Sequence, residues 1–298
     1  MLPNPIVKLN LTWLFLKYVP RNLLSTLIGW FVRLNHPKWL AQALIRKFTD
    51  HYNIKVEEAE LPLSQYRSLG LFFVRRLKKG ARTIQSWIIH PVDAFLTEWG
   101  QILEGKLVQA KLKKFGLSSL LAFDKNWTLF ENGHFFTYYL CPTDYHRVHS
   151  PVTGVITRVV HVPGHLWPVN EVSVSRVDNL FSLNERVIVF IKTEIGNVAV
   201  VLVGATNVGK ISLVFDKSVV TNQLSLLNFK NWFGQYDEKD ILRKSYEPGL
   251  PIKCGDELGV FNMGSTVILL LDQNYKVSDR GSYQGKVQLG EGLKVLNE

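Results

Sequence analysis

Short apolar runs separated by turn residues occupy the chain from about Trp87 onward, and they set its fold class. Gly, Pro, Asn and Asp bound the runs, which is the pattern of β-strands joined by turns. The predicted strands are Phe135–Leu140, Val152–His161, Arg186–Ile191, Val198–Val203, Ile211–Phe215 and Thr266–Leu271. A short helix is predicted near Leu117–Ala122. This part of the chain therefore predicts a β-rich, sandwich-like domain.

Residues 9–48 have a helical period instead, because their apolar side chains recur at spacings of three, four and seven. Pro20 and Pro37 mark breaks, since proline disfavours a helical residue before it and lacks an amide donor. The pattern predicts two or three helices. We therefore assign the chain to the α+β class and divide it into a helical segment, residues 1–60, and the β-rich domain, residues 61–298.

Positive charge is concentrated in the helical segment. Residues 1–49 contain seven Lys and Arg and no Asp or Glu, in a chain whose net charge is +10. Their longest uncharged run, residues 22–32, has 11 residues, whereas a bilayer-spanning helix needs about 20. Apolar helices rich in Trp and Phe and edged by Lys and Arg favour the interface of an anionic membrane. The segment therefore predicts peripheral association with a membrane.

The basic segment also fits an amphipathic helical hairpin packed on the protein's own core, which stays open as the alternative. A nucleic-acid partner is not predicted, because the charges are scattered singly rather than in dense clusters. The segment also lacks the small-residue cleavage site of a signal peptide. Cys141 and Cys254 are too few for a disulfide framework, which indicates a reducing compartment.

Three places concentrate reactive side chains. The block Asp144–His149 follows a predicted strand, the sequence 264–266 precedes another, and Asp93 stands among apolar residues. Taken singly, each suits an ordinary turn. His146 and His149 form a His-x-x-His pair, but no third ligand has a telling spacing, so no metal site is predicted.

Taken together, an aspartate, a histidine and a serine are the parts of an activated nucleophile. The glycine before the serine adds a feature that a hydrolase does not need. Gly264 permits a strained peptide in which the Ser265 oxygen approaches the preceding carbonyl. The pair therefore favours attack on the chain itself.

Seven short segments match one known family in their order and spacing. They are Phe72-Phe73-Val74-Arg75, Asp144-Tyr145-His146-Arg147-Val148-His149, Val162-Pro163-Gly164, Asn179-Leu180-Phe181, Asn184-Glu185-Arg186-Val187, Val203-Gly204-Ala205-Thr206 and Gly264-Ser265-Thr266. Through them the chain resembles, over nearly its whole length, the type I phosphatidylserine decarboxylase proenzymes. It departs from the family pattern at three positions, which are Arg76 for proline, Ala94 for glycine and Met263 for leucine.

The resemblance implies that the chain cuts itself between Gly264 and Ser265. His149, oriented by Asp93, would deprotonate Ser265, whose oxygen attacks the Gly264 carbonyl and converts the peptide to an ester. Elimination would then free the carboxyl end of Gly264, and hydrolysis at residue 265 would leave a pyruvoyl group with loss of ammonia. The two products, a β chain of residues 1–264 and an α chain of residues 265–298, would stay associated.

The resemblance also implies that the mature protein decarboxylates phosphatidylserine to phosphatidylethanolamine. The pyruvoyl carbonyl derived from Ser265 would form a Schiff base with the lipid amine and accept the electrons released with carbon dioxide. We expect His146 at the substrate carboxylate or at the returning proton, which His149 is also placed to donate. The substrate implies a peripheral enzyme on the cytoplasmic face of the cell membrane, with a homodimer as an open option.

Two functions of other classes stay open. A serine hydrolase or peptidase would use Asp93, His149 and Ser265 and would keep the serine as a reactive hydroxyl. A non-catalytic β-sandwich module that binds at the membrane surface would leave the chain intact.

Overall fold

A computed structural model of the chain describes residues 19–110, 113–206, 210–222, 229–262, 265–278 and 284–295, with the backbone alone at Ala110, Phe229 and Ser265. Helices predicted before residue 19 lie outside the described residues. The structure is a sheet-rich α+β fold, which confirms the predicted class.

Most strands join one antiparallel sheet. In chain order the strands are β1 (Ala94–Gln101), β2 (Lys106–Ala110), β3 (Lys113–Gly116), β4 (His134–Leu140), β5 (Arg147–His149), β6 (Gly154–Val162), β7 (Arg186–Lys192), β8 (Asn197–Val203), β9 (Ile211–Leu213), β10 (Leu242–Ile252), β11 (Glu257–Phe261), β12 (Ser265–Leu271) and β13 (Gly285–Val287). Eight of them form a sheet in the order β10-β6-β7-β8-β12-β4-β1-β13, and β5-β11-β9 form a second sheet. All six predicted strands are present, with ends that differ by at most two residues.

Both faces of the large sheet are covered. Val267, Leu269 and Leu271 of β12 pack into a core shared with the β5-β11-β9 sheet. Ile268 and Leu270 point the other way, into a second core under the β2-β3 hairpin and nearby short helices. Burial on both faces explains why the central strands are continuous apolar runs instead of alternating ones.

The helices are short apart from the first two. In chain order they are α1 (Arg21–Phe31), α2 (Lys38–Tyr52), α3 (Leu69–Phe73), α4 (Leu117–Leu120), α5 (Glu171–Arg176), α6 (Leu180–Leu183) and α7 (Phe229–Trp232). Single 3-10 turns span Val56–Glu58, Leu63–Gln65, Trp127–Phe130 and Glu238–Asp240. No helix in the described ranges has the length and apolar character needed to cross a bilayer.

α2 packs in the way that the hairpin alternative expects. Ile45 of α2 is fully buried in a small cluster with Ile54, Tyr66 and Phe72, the last of which belongs to α3. Asn53 ends α2 in the left-handed conformation, with φ 48°, as asparagine often does at a helix C-terminus. The cluster holds residues on both sides of position 60, where the predicted domain boundary stays a prediction.

α1 docks on the β-rich domain through polar side chains. Arg21 and Asn22 are buried, and the guanidinium carbon of Arg21 lies 3.6 Å from the ring centroid of Trp167. Asn22 Nδ2 donates to the carbonyl of Gly164 at 3.0 Å. The exposed side chains of this helix include Leu27, Trp30 and Phe31, at 55%, 68% and 49% exposure. These three residues, which we call the N-terminal apolar face, lie at the i, i+3 and i+4 spacing of one helix face.

Candidate active site

The fold brings the two predicted motifs to one end of the large sheet. Ser265, the first residue of β12, pairs with Leu140, the last residue of β4. The chain leaves β4 at Leu140 and runs directly into the block Asp144–His149. The predicted nucleophile and both candidate imidazoles therefore come from the same region of the molecule.

The predicted cleavage site, between Gly264 and Ser265, lies at the start of β12. Met263 and Gly264 lie outside the described residues, so the structure describes only one side of the bond. The amide of Phe261, at the end of β11, donates to the carbonyl of His146 at 3.0 Å. The segment that connects β11 to Ser265 therefore starts beside His146.

His149 is held as a neutral imidazole. Its Nδ1 lies 2.8 Å from the carbonyl oxygen of Gly255, which only accepts, so Nδ1 carries the proton. Its Nε2 then accepts from the hydroxyl of Tyr145, at 3.2 Å. Burial lowers the pKa of His149, which favours the neutral form. Nε2 therefore carries the lone pair of a base, and this lone pair accepts the hydrogen bond from Tyr145.

Asp93 has a different partner from the one that the sequence suggests. Arg82 Nε donates to its two carboxylate oxygens at 2.9 and 3.1 Å, and the amide of Leu289 donates at 2.9 Å. The hydrogen bonds that Arg82 donates to Asp93 raise the pKa of Arg82, whose Nη2 also donates to Glu58 at 2.9 Å. The expected Asp93–His149 contact is absent from the hydrogen bonds of the described residues. A bidentate guanidinium is a stronger partner for a carboxylate than a neutral imidazole.

His146 is completely buried and has one unmatched nitrogen. Its Nδ1 donates to the carbonyl of Asp144 at 2.9 Å, and its ring centroid lies 4.0 Å from that of Phe73. Its Nε2 has no hydrogen-bond partner among the described residues. Burial lowers the pKa of His146 to about 3, so the ring is neutral at physiological pH. A buried polar atom without a partner is costly, which marks Nε2 as a candidate contact for a bound group.

Sequence reasoning did not assign a role to Arg147, which joins three parts of this region. Its Nη2 and Nε donate to the carbonyl of Val74 at 2.8 and 3.0 Å, and its Nη1 bonds Glu257 at 2.5 Å. These bonds hold the C-terminal end of α3 next to β5 and β11. The ring of Phe73 in α3 packs on that of His146. Only the position of Arg147 inside the matched block could have indicated its importance. Its bonding partners lie far away in the sequence and could not be inferred from it.

Within the described ranges, no three His, Cys, Asp or Glu side chains are grouped so as to hold a metal ion. A cavity of about 120 Å³ opens beside Asp93 and Tyr145. The region thus offers two neutral imidazoles, a buried carboxylate and space next to them, and this set is suited to proton transfer.

Comparison of the sequence with known proteins identifies one family. A family model described as phosphatidylserine decarboxylase matches residues 69–294. The phosphatidylserine decarboxylase proenzyme of Francisella philomiragia subsp. philomiragia is 40% identical over 291 residues, which cover 96% of this chain and 98% of the relative.

Two further relatives with the same description agree. The proenzyme of Anaeromyxobacter sp. (strain K) is 38% identical over 282 residues, covering 93% of this chain and 95% of the relative. That of Coxiella burnetii is 39% identical over 265 residues, covering 87% and 88%. Matches of this extent show that the chain belongs to the phosphatidylserine decarboxylase family.

Proposed function

We propose that the chain is a self-processing decarboxylase that converts phosphatidylserine to phosphatidylethanolamine. One observation carries the proposal: residue 265 begins β12 opposite Leu140, the residue from which the chain enters the block of His146 and His149. Membership of the family supports it independently.

In the maturation step, His149 removes the proton from the Ser265 hydroxyl through Nε2. The Ser265 oxygen attacks the Gly264 carbonyl, and elimination from the resulting ester frees the carboxyl end of residues 1–264. Tyr145 must release Nε2 for this transfer, because one lone pair accepts only one proton. Burial opposes the protonated His149 that the transfer produces, whereas the charges of Glu257 and, to a smaller extent, Asp93 favour it. Asp93 thus acts on His149 through its field.

The pyruvoyl group that forms from Ser265 supplies a carbonyl that accepts the electrons released with carbon dioxide. The surroundings fit such a group, because His146 has a buried nitrogen without a partner among the described residues. The backbone carbonyl of His146 also contacts Phe261, where the segment that leads to residue 265 begins. His146 contacts the substrate or returns the proton to its α-carbon. His149, freed from its first task, is the second residue able to donate that proton.

The substrate is a lipid, so the enzyme needs contact with a membrane. The N-terminal apolar face is exposed while the polar side of α1 is buried, which is the reverse of a helix that packs on its own core. The sequence that carries this face is basic, since residues 1–49 contain seven Lys and Arg and no acidic side chain. We assign α1 to the headgroup region of the cytoplasmic leaflet, where aromatic and cationic side chains bind together.

The test of the proposal is Ser265→Ala, which removes both the attacking oxygen and the leaving group. The variant should run as one chain on a denaturing gel and release no carbon dioxide from phosphatidylserine vesicles. Ser175→Ala changes an exposed serine of α5 and should give two chains and normal turnover.

Other outcomes identify the competing functions. Two chains of normal size in Ser265→Ala would overturn the assignment of the cleavage site. A wild-type chain that stays intact and reacts with a fluorophosphonate at Ser265 would indicate a hydrolase. An intact, unreactive wild type would indicate a binding module.

A further inference from the structure

Arg75 is a buried cation that the protein itself leaves mostly unpaired. Its side chain is 5% exposed, and its guanidinium carbon lies 5.0 Å from the ring centroid of Phe72. Nη2 donates to the carbonyl of Thr143 at 3.2 Å. Nε and Nη1 are buried without a hydrogen-bond partner among the residues that the structure describes. Two donors of one guanidinium are therefore available to a ligand.

The carboxylates nearby do not satisfy these donors. Asp93 is bound by Arg82, which also bonds Glu58. Asp144 accepts from the amide of Cys141 at 2.8 Å. Burial lowers the pKa of Arg75, and the charges of Asp93, Glu58 and Asp144 offset this effect only in part.

Arg75 lines the cavity of about 120 Å³ that lies beside the candidate active site. Two exposed lysines, Lys55 and Lys286, line the same cavity. Thr143 and Tyr145 form another part of its wall. Arg82, Glu58, Asp93 and Asp144 also line it, so the wall holds four cations and three carboxylates. Because Arg82 is bonded to Asp93 and Glu58, the cations left for a negatively charged group are Arg75, Lys55 and Lys286.

The cavity also lies close to the proposed reaction. The positive charge of Arg75 contributes to the lowered pKa of His146, after the larger effect of burial. Tyr145, in the cavity wall, bonds Nε2 of His149. Residue 265 pairs with Leu140, and the cavity is lined by residues 143–145 a few positions later in the chain. We therefore expect a lipid headgroup bound at residue 265 to extend toward this cavity.

We propose that Arg75, assisted by Lys55 and Lys286, binds the phosphodiester of the substrate lipid. This inference rests on the proposed function and deepens it. The guanidinium fork suits two oxygens of a phosphate, because the second hydrogen of Nη2 is parallel to a hydrogen of either unmatched donor, Nε or Nη1.

The carboxylate of the substrate is the less suitable anion for this site. It loses its charge as carbon dioxide leaves, so a buried ion pair to it would stabilise the ground state more than the transition state. The phosphodiester keeps its charge throughout the reaction. Binding it stabilises ground and transition states equally, which lowers KM and leaves kcat unchanged.

The test is Arg75→Gln, assayed on phosphatidylserine in neutral detergent micelles, where membrane charge does not contribute. We expect normal cleavage into two chains, a KM raised at least tenfold and a kcat within twofold of wild type. Glycerol 3-phosphate should inhibit the wild type competitively and the variant at least tenfold more weakly. Serine, which lacks phosphate, should inhibit both equally. Arg75→Lys should lie between them, because it keeps the charge and loses the fork.

Arg76→Gln is the matched control, because Arg76 is the exposed neighbour of the buried arginine, and it should behave as wild type. Should Arg75→Gln fail to fold, Lys286→Gln changes an exposed side chain and should raise KM two- to fivefold. Equal inhibition of wild type and Arg75→Gln by glycerol 3-phosphate would overturn the inference. A fall in kcat at constant KM would do the same.

Binding of glycerol 3-phosphate to the Ser265→Ala precursor separates this inference from the proposed function. Calorimetry should detect the binding there, without turnover, and Arg75→Gln in the same background should abolish it. Binding in a protein whose wild type does not decarboxylate phosphatidylserine would overturn the proposed function and retain the anion site. No binding to the precursor would overturn the site.

Discussion

His146 and His149 lie three residues apart, and they differ in what each leaves free. His149 has both nitrogens engaged, one by a backbone carbonyl and one by Tyr145. His146 keeps one buried nitrogen without a partner among the described residues. In the proposed mechanism His149 acts once, on the chain itself, so Tyr145 needs to leave its Nε2 only for that step. His146 is proposed to meet every substrate molecule, and a nitrogen without a protein partner suits that role.

The partners of Asp93 lead to a residue-scale prediction. Asp93→Asn and Arg82→Gln break the same buried ion pair, so both should lower the free energy of unfolding by about 3 kcal/mol. Only Asp93→Asn removes the negative charge that favours protonated His149. We expect at least tenfold slower self-cleavage in Asp93→Asn and no slowing in Arg82→Gln, measured as the rate at which two chains appear on a denaturing gel. Equal slowing would show that Asp93 acts through structure alone.

Among the secondary-structure elements, α1 has an inverted burial pattern. It buries the polar residues Arg21 and Asn22 and exposes the aromatic residues Trp30 and Phe31. Its orientation depends on directional contacts, such as the bond from Asn22 to Gly164. Such contacts need a specific partner surface. The helix can therefore present its apolar residues to a membrane without losing its position on the domain.

A double variant tests this orientation. Trp30→Ala with Phe31→Ala should weaken binding to anionic vesicles at least tenfold, since each aromatic side chain contributes roughly 1.5–3 kcal/mol on burial. Phe123→Ala removes an aromatic side chain that is 71% exposed elsewhere and should change binding less than twofold. Moderate salt should weaken wild-type binding only in part, because apolar insertion is not screened. Equal effects of the two variants in a vesicle sedimentation assay would contradict the assignment of α1.

The sequence predicts five of the six inner strands of the large sheet and misses β1. Two further omissions have physical causes. β10 was missed because Pro248 and Pro251 lie within it, and proline lacks the amide that a central strand needs. The structure places β10 at the edge of the sheet, where that loss is tolerated. β5 was missed because three residues are too few to show an alternation.

The candidate site was predictable where it is local in sequence. The block around His149 and the serine at position 265 could be found from their neighbours. The partnership of Asp93 with Arg82 could not, because it depends on how two loops meet. Neither could the two donors of Arg75 that have no partner among the described residues, since this depends on which groups the fold places beside them.

At the scale of the whole molecule, buried histidines make stability depend on pH. Burial lowers the pKa of His90 to about 4 and that of His146 to about 3. In the unfolded chain both imidazoles have the ordinary pKa of histidine, about 6.5. Since the unfolded state binds more protons, stability falls as the pH drops below about 6.5 toward the folded values.

The size of this effect can be measured by urea unfolding at pH 7.5 and 5.0. Each histidine should contribute about 2 kcal/mol to the loss of stability between these values. His90→Gln and His146→Gln should each reduce the loss by that amount, and the exposed His51→Gln should leave it unchanged. The Ser265→Ala precursor is the suitable background, because every sample is then a single chain. The same loss in all three variants would contradict the assignment.

β12 lies between β8 and β4, so the short chain left by self-cleavage supplies one of the inner strands of the large sheet. With the cleavage proposed here, the mature enzyme keeps a fold that was assembled while the two chains were still one. After complete unfolding, we expect the precursor to regain that fold by itself in a first-order process. The two mature chains must first associate, so we expect their recovery to be second order and to fail at high dilution. Self-cleavage therefore makes the folded mature enzyme depend on the earlier folding of its precursor.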